Sequence, residues 1–518
     1  MPKCTINGKT IEVKPGTTII QAFKEAGEEI AHYCWHPALS VAGVCRLCMV
    51  QIEGQPKLQI ACNTVVADNM VITNKSEPVK EAVRWGMDFH LINHPLDCPV
   101  CDQAGECGLQ EQYMRYGQYD PEMAEPKQKK HKVVDLGPTV VLDSERCILC
   151  SRCVRFTEEV TKTNELGIFN RGDRSEIGTF HNKPLNNNYS YNTIDICPVG
   201  ALTSKDFRFR QRVWYLKEAR TICTGCSTGC NVNVYFNEEG AWRVRPVQND
   251  KVNGHWMCDK GRDVYKFTNL PVRLTTGKVG SKDQWQNLEA GAVAEDVGGK
   301  IRAAVRSGGA EKIAVVVTSQ YTNEEYDTLL QFFSVGLGVQ NIYHWMNNPE
   351  DMNGFDGLLF RGDRNPNTKG LIARLEKQNV KTKWLDFEEK VKSGALTHVI
   401  VAGPENHSVF PDLEAKIRLF SQVPNFIWLS AGKSTAVDSS TAMTAQIPMK
   451  TFIEKDGTYT NYAGFEQKVK RGTTIVTGAL TLEEAVHLMS GEELDMNLRP
   501  LPPKHLKTNF LIHKGGPL

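Results

Sequence analysis

The sequence predicts a molecule in two parts, with small α+β modules over the first half and an α/β domain over the second. Three observations predict it. All 16 cysteines lie between Cys4 and Cys258, so the last 260 residues hold none. Those cysteines fall into four spaced groups. Beyond about residue 270, apolar runs suited to buried parallel strands alternate with helix-like segments. At 518 residues there is room for three or four domains. With 61 Lys and Arg against 60 Asp and Glu, the net charge of +1 leaves no positive excess for nucleic acid or an anionic membrane. No stretch reaches the about 18 consecutive apolar residues needed to cross a bilayer. The opening Met-Pro-Lys-Cys shows neither an apolar nor an Arg/Ser-rich leader, so the expected compartment is reducing cytoplasm. There, clustered thiols bind metal or do redox work rather than form a disulfide framework.

The first module, residues 1–78, opens with two β-branched runs around Asn7-Gly8, a hairpin with a type I′ turn. Thr17-Thr18 then precedes Ile19, Ile20, Ala22, Phe23 and Ala26 at helical spacing, with Gly27 as the stop. Cys34, Cys45, Cys48 and Cys62 follow, the middle pair on the glycine-containing loop Ala-Gly-Val-Cys45-Arg-Leu-Cys48. Four thiolates satisfy two tetrahedral irons and suit a [2Fe–2S] cluster. The competing reading is a Cys₄ zinc site. Such sites usually use two close pairs, and only one is present.

In residues 79–120 a helical pattern from Glu77 ends before Pro95. His94-x3-Cys98-x2-Cys101-x5-Cys107 comes next. Three cysteines are one short of a cubane's four corners, and His94 stands ready as the fourth ligand. An imidazole there would raise the potential, as in Rieske centres. The bland alternative is that His94 caps the preceding helix. Residues 121–139 read as a linker, and its basic run at 127–132 as solvated surface.

Residues 140–215 carry Cys147-x2-Cys150-x2-Cys153 and the remote pair Cys197-Pro198. A bacterial ferredoxin places its next cysteine four residues after the third, where this chain has Thr157. One [4Fe–4S] cluster closed by Cys197 is therefore expected. Residues 216–272 hold Cys223-x2-Cys226-x3-Cys230-x27-Cys258, with small residues that let backbone N–H groups approach the sulfurs. This reads as a further cubane. Fifteen cysteines and His94 then supply sixteen ligands for four clusters, and Cys4 is left as an inert buried thiol. Arg46, Arg146, Arg152 and Arg155 adjoin ligand cysteines, where they offset cluster charge or form surface salt bridges.

Residues 273–518 form the α/β part. Strands are expected at 312–318, 398–403 and 425–430, with a helix at 323–337 ending at Gly338. No G-x-G-x-x-G follows a strand and no G-x-x-x-x-G-K-[ST] is present, so a nucleotide site is expected on a partner.

In this order the motifs resemble the large iron–sulfur subunits of bacterial respiratory complex I, the G-type subunit family of NADH:quinone oxidoreductase, over about residues 1–270. The resemblance implies a plant-type-like [2Fe–2S] ferredoxin domain on Cys34, Cys45, Cys48 and Cys62. It implies [4Fe–4S] clusters on His94, Cys98, Cys101 and Cys107, and in a bacterial-ferredoxin-like domain on Cys147, Cys150, Cys153 and Cys197. These three belong to the wire from flavin to quinone. A fourth cluster, on Cys223, Cys226, Cys230 and Cys258, occurs in only some members and lies off the main path; its presence argues for a bacterial source.

The implied partners are an FMN- and NADH-binding flavoprotein, a small [2Fe–2S] subunit, a downstream 2×[4Fe–4S] ferredoxin-type subunit with the quinone module and, indirectly, a proton-translocating membrane arm. The implied place is peripheral, on the cytoplasmic face of the inner membrane. No catalytic residue is expected on this chain.

The fourth segment also resembles the cluster domain of molybdopterin oxidoreductases, and residues 452–458 and 460–461 are family-like. No Cys follows Cys258 and the region is short for that family. A truncated molybdopterin-oxidoreductase-like α/β domain is therefore expected, without active site, molybdenum or molybdopterin. The same module would serve an NAD-linked hydrogenase or formate dehydrogenase. A zinc-binding scaffold is the alternative from another class.

Overall fold

Strands β1 (Lys3–Ile6) and β2 (Lys9–Glu12) form the expected hairpin, turning through Asn7 at φ 49° and Gly8 at φ 87°, as a type I′ turn requires. The structure is a computed structural model that describes residues 1–491 apart from 119, 121 and 124. It divides into two units, Met1–Leu216 and the chain from Lys217 onward.

Helix α1 (Ile19–Glu25) begins at Thr18, whose N–H donates to Gln21 Oε1 at 2.9 Å, and buries Ile19, Ile20, Ala22 and Phe23. With β3 (Met49–Ile52), β4 (Gln59–Ile60) and β5 (Met70–Thr73) the sheet runs β2-β1-β5-β3-β4, the β1–β5 pair being parallel. Cys4 is buried in its core, which pushes its thiol pKa up.

Helix α2 (Glu77–Leu91) buries Val79, Val83 and Met87 along one face. Helix α3 (Gly108–Tyr116) follows the second cysteine group. The expected linker ends earlier than 139, because β6 (Val134–Asp135) already pairs with β7 (Val140–Leu142). Its basic run is exposed but not merely solvated. Lys127 Nζ donates to the carbonyls of Leu91 and Ile92 at 2.7 and 3.1 Å at the C-terminal end of α2, where Leu91 O also accepts from His94 N–H at 3.1 Å. Lys130 reaches Ser175 O and Lys132 pairs with Glu145.

Helix α4 (Arg152–Arg155) continues as a π-helical turn, Phe156–Val160. The hairpin β8 (Leu166–Phe169) and β9 (Glu176–Thr179), the short α5 (Asn192–Asp195) and β10 (Leu202–Ser204) complete this unit, in which β10-β7-β6 is a three-stranded sheet.

The second unit opens with an antiparallel sheet of β11 (Lys217–Ile222), β12 (Asn231–Asn237) and β13 (Gly240–Pro246), then the turn of α6 (Asp259–Arg262). Next come β14 (Gly277–Gly280), β15 (Gln286–Leu288), α7 (Ala290–Arg306), β16 (Ile313–Thr318), α8 (Asn323–Leu330) and β17 (Ile342–Trp345). They are followed by α9 (Thr368–Lys377), α10 (Trp384–Lys392), β18 (His398–Ala402), α11 (Leu413–Phe420), β19 (Asn425–Ser430), α12 (Thr435–Asp438) and β20 (Met443–Pro448). A hairpin, β21 (Gly457–Thr460) and β22 (Glu466–Val469), and helix α13 (Leu482–Ser490) end the described chain.

The large sheet runs β15-β14-β20-β19-β18-β16-β17, parallel from β20 to β17. The three strands expected from sequence lie side by side at its centre. All six residues of β16 are buried, the pattern of a strand covered on both faces. The expected helix at 323–337 is α-helical only to Leu330 and continues as a π-helical turn, Gln331–Gly336.

Residues 216–272, expected as a separate domain, are bonded into the α/β region. Ser227 N–H donates to Asp363 O at 2.9 Å, Thr228 Oγ1 to Leu359 O, and Tyr462 N–H to Ser227 O. Buried ion pairs tie the same unit: Arg273 with Glu454 at 2.7 Å, Lys450 with Glu484 at 2.7 Å, and Lys455 with both Glu325 and Glu405. No helix among the described residues is long and apolar enough to cross a membrane.

Candidate metal centres

All sixteen cysteines are free thiols, and most of the candidate ligands among them are buried; Cys98 alone is exposed, and Cys107, Cys147 and Cys197 are half-buried. Among the described residues no three His, Cys, Asp or Glu side chains converge on a single metal ion.

The first set comes from the long loop between α1 and β3 and from the residue pair after β4. Ala61 N–H donates to Cys48 O at 2.7 Å and so carries Cys62 beside Cys48. Arg46, at φ 54°, turns the chain between Cys45 and Cys48. The thiols form two hydrogen-bonded pairs, Cys34 with Cys45 and Cys48 with Cys62. Sharing a proton inside a buried pair lowers one member and raises the other: Cys34 falls to about 5 and Cys62 also falls, whereas Cys45 and Cys48 rise. Tyr33 N–H donates to Cys45 Sγ at 3.4 Å. Four buried sulfurs this close carry their full charge only against cations, which suits a two-iron centre.

The second set starts where α2 ends. Burial, helped by the Arg146 charge, holds the His94 imidazole neutral by lowering its pKa to about 4. Its Nδ1 is buried with no hydrogen-bond partner. A neutral imidazole with an orphaned buried nitrogen is in the form a metal ligand needs, and ligation would satisfy that atom. The alternative of a helix cap has no such bond to support it. Cys98 is exposed, Cys101 buried and Cys107 half-buried just before α3. Cys101 and His94 both lie in the field of Asp97 and Arg146, which pair at 2.6 Å; Arg146 also pairs with Asp143 at 2.8 Å. Of the four arginines singled out from sequence, Arg146 is therefore the one in a buried salt bridge.

The third set encloses a small apolar cavity lined by Cys147, Cys150, Cys153 and Cys197, together with Leu142, Ile177, Val199 and Leu202. Leu149 and Ser151 adopt positive φ, 54° and 59°, wrapping the loop so that Leu149 N–H donates to Cys147 Sγ at 3.4 Å. Burial raises all four thiols, Cys147 to about 12 and Cys150 to about 11. The cavity, the four sulfurs and the inward N–H fit a cubane.

The stretch 197–200 serves two sets at once. Pro198 O accepts from Gly108 N–H at 2.8 Å, and Cys107 Sγ lies 3.9 Å from the same oxygen. A Cβ on Gly200 would stand 2.5 Å from Cys101 Sγ. Only glycine leaves that sulfur its place. The string Cys-Pro-Val-Gly was visible in the sequence, but the closing glycine carried no recognisable signal there.

The fourth set lies in the second unit, all four cysteines buried. Cys223 N–H donates to Cys230 O at 2.7 Å, and Gly225 N–H to Cys223 Sγ at 3.4 Å. A Cβ on Gly261 would meet Cys223 Sγ at 3.1 Å and Cys258 Sγ at 3.6 Å, so both sulfurs face the same space. Burial raises Cys223 to about 12, and Cys230 and Cys258 also rise.

Comparison with known families matches the chain in the same order. Residues 3–77 match a 2Fe-2S iron-sulfur cluster binding domain, 86–122 an NADH-ubiquinone oxidoreductase-G iron-sulfur binding region, and 137–203 the ferredoxin-like domain of NADH-quinone oxidoreductase subunit 3. Residues 216–270 match the molybdopterin oxidoreductase Fe4S4 domain. The chain is 42% identical over 274 residues to the G-type subunit of NADH-quinone oxidoreductase from Streptomyces coelicolor, which is 52% of this chain and 32% of that protein. It is 41% identical over 295 residues to the corresponding subunit of Rickettsia bellii, 56% of this chain and 43% of that protein. To the mitochondrial NADH-ubiquinone oxidoreductase 78 kDa subunit of Candida albicans it is 42% identical over 291 residues, 54% and 39% of the two chains. The matched region thus spans a third to two-fifths of these relatives' length. A chain of a solved NAD+-reducing [NiFe]-hydrogenase is 29% identical, covering 41% of this chain and 91% of that one, at a TM-score of 0.37. The first half of the chain is an ordered array of 2Fe-2S and 4Fe-4S binding domains similar to those of the G-type subunits of NADH-quinone oxidoreductase.

Proposed function

We propose, from an N-terminal half with the cluster-binding domains of the G-type NADH-quinone oxidoreductase subunits, that this chain is an electron-transfer subunit of a complex I. It carries electrons one at a time from a flavoprotein partner toward quinone. The observation that carries the reading is the succession of sixteen candidate ligands in four sets, in the order in which the matched domains succeed one another.

One [2Fe–2S] and three [4Fe–4S] clusters would supply the one-electron chemistry. The ligands are Cys34, Cys45, Cys48 and Cys62 for the first. His94, Cys98, Cys101 and Cys107 hold the second, Cys147, Cys150, Cys153 and Cys197 the third, and Cys223, Cys226, Cys230 and Cys258 the fourth. The other residues bury these sets and aim N–H groups at the sulfurs. Leu142, Ile177 and Leu202 keep the third set dry, and the glycines at 200 and 261 leave room beside the sulfurs. No side chain acts as acid, base or nucleophile. The partners are a flavin- and NADH-binding subunit, a small [2Fe–2S] subunit, and a downstream two-cubane subunit with the quinone module, placing the chain peripherally on a membrane complex. The α/β part acts as a scaffold without molybdenum.

The test is anaerobic purification with metal, sulfide and EPR analysis. The reading predicts about 14 iron and 14 sulfide per chain and reduced-state EPR signals that NADH elicits through the partners. Colourless protein with stoichiometric zinc and no signal would overturn it. Co-purified nickel subunits would assign the wire to a hydrogenase.

A further inference from the structure

Arg155 and Arg152 lie on α4, between the first and third cysteine sets of the same unit. Arg155 is buried, and its single atom Nη2 donates to two carbonyls, Cys34 O at 2.5 Å and Cys150 O at 3.3 Å. Cys34 belongs to the first set and Cys150 to the third. Nη1 donates to Ser40 O, and Nε to Ser151 Oγ at 3.2 Å. Arg152 repeats the pattern one step from the ligands: Nη2 donates to Trp35 O at 2.5 Å and Nη1 to Ile196 O at 3.1 Å, next to Cys34 and Cys197. Its Nε is buried without a partner.

The acceptors of both guanidiniums are backbone carbonyls and one hydroxyl; no carboxylate is among them. Glu159 stops at Ser40, taking that residue's N–H and hydroxyl. Arginine keeps its charge at every physiological pH, and a buried charge is retained where an opposite charge answers it. The sulfurs facing these two are those of Cys34 and Cys150, with Cys197 added for Arg152; as cluster ligands they would be thiolates and supply that opposite charge.

We propose that Arg155, with Arg152 beside it, is a positioning residue shared by two neighbouring clusters: one guanidinium fixes a ligand cysteine of each through its carbonyl and holds both reduction potentials up together. This rests on the cluster reading of both sets. Reduction would add to a cluster one electron from the flavoprotein partner, and the guanidinium, always protonated, would neither take up nor release a proton in that step. A cation within a low-dielectric setting stabilises the more negative reduced form. The fork matters as well as the charge, since the guanidinium serves Cys34 O, Cys150 O, Ser40 O and Ser151 Oγ together, one acceptor more than the three N–H donors of a lysine ammonium can take.

The test uses the full chain in its complex, with EPR-monitored redox titration of wild type, R155Q, R155K and R152Q. In R155Q the reduction equilibrium of both clusters should become about tenfold less favourable, 59 mV lower for one electron. R155K, which keeps the charge, should recover most of that shift. R152Q should also lower both potentials, and decides the matter if R155Q fails to assemble. Full iron content with both potentials unchanged overturns the proposal, as does a shift confined to one cluster, which would make Arg155 a local group. Wild-type protein lacking the two signals and their iron would instead defeat the cluster reading itself.

Discussion

His94 has a ring held neutral by burial and a buried Nδ1 without a hydrogen-bond partner, the form in which an imidazole can bind iron. His487 on α13 shares both features, so it is the three cysteines close by in the sequence that single out His94 as a candidate ligand. H94C should keep the second cubane and lower its potential, because a thiolate adds negative charge that an imidazole does not; redox titration by EPR reads this, and an unchanged potential would argue against ligation. In the second unit Lys455 faces two carboxyls, Glu325 at 2.8 Å and Glu405. Removing the ammonium leaves both acids buried without a cation, so K455M should cost about 3–5 kcal/mol in urea unfolding. One lysine against two acids also leaves a surplus negative charge, and burial raises Glu405 to about 7. A folded pKa above the unfolded value of about 4.3 means that this contribution to stability is complete below that pH and lost as pH rises through about 7. Melting temperatures should therefore fall across that window in wild type and less so in E405Q. The sequence marked residues 452–461 only by family likeness. Their role as a buried charge knot depends on partners 50 and 130 residues away, for which no local pattern exists.

At the scale of elements, β16, β18 and β19 were legible because a strand covered on both faces must be apolar throughout. Strands β14 and β15 were not, being short and half-exposed, and β20 hides its place behind Thr, Gln and a terminal Pro. The break of α8 into a π-helical turn was equally invisible, since apolar residues recur with nearly the same spacing across it. Packing of α7 on α13 also escaped the pattern. A Cβ on Gly298 would stand 2.1 Å from Met489 O, so this glycine permits the contact of the two backbones. G298A should destabilise the second unit by at least about 1–3 kcal/mol in thermal or urea unfolding. Of the candidate sites, the grouping of the cysteines was readable from spacing, whereas the arginine and glycine settings around them were not, because they come from other elements.

For the whole molecule, the division at Leu216 places three candidate centres in one unit and the fourth in the other. If the proposed complex I reading holds, with the fourth cluster off the wire, C226S should remove one cubane's iron and EPR signal while NADH-driven reduction of quinone through the partners continues. C150S should stop it; iron analysis beside the quinone assay distinguishes them. The net charge of +1 counts neither clusters nor thiolates, so the loaded first unit is more acidic than its sequence. The loop at 197–200 imposes a timetable on biogenesis. Chains are made from the N-terminus, so the candidate ligands of the first and second sets have all been synthesised by residue 107, whereas the third set waits for Cys197. When that cysteine arrives, Pro198 and Gly200 must seat against Cys107 and Cys101. A ribosome stalled between 153 and 197 would leave three thiols of the third set with no closing partner, open to oxidation until Cys197 is made.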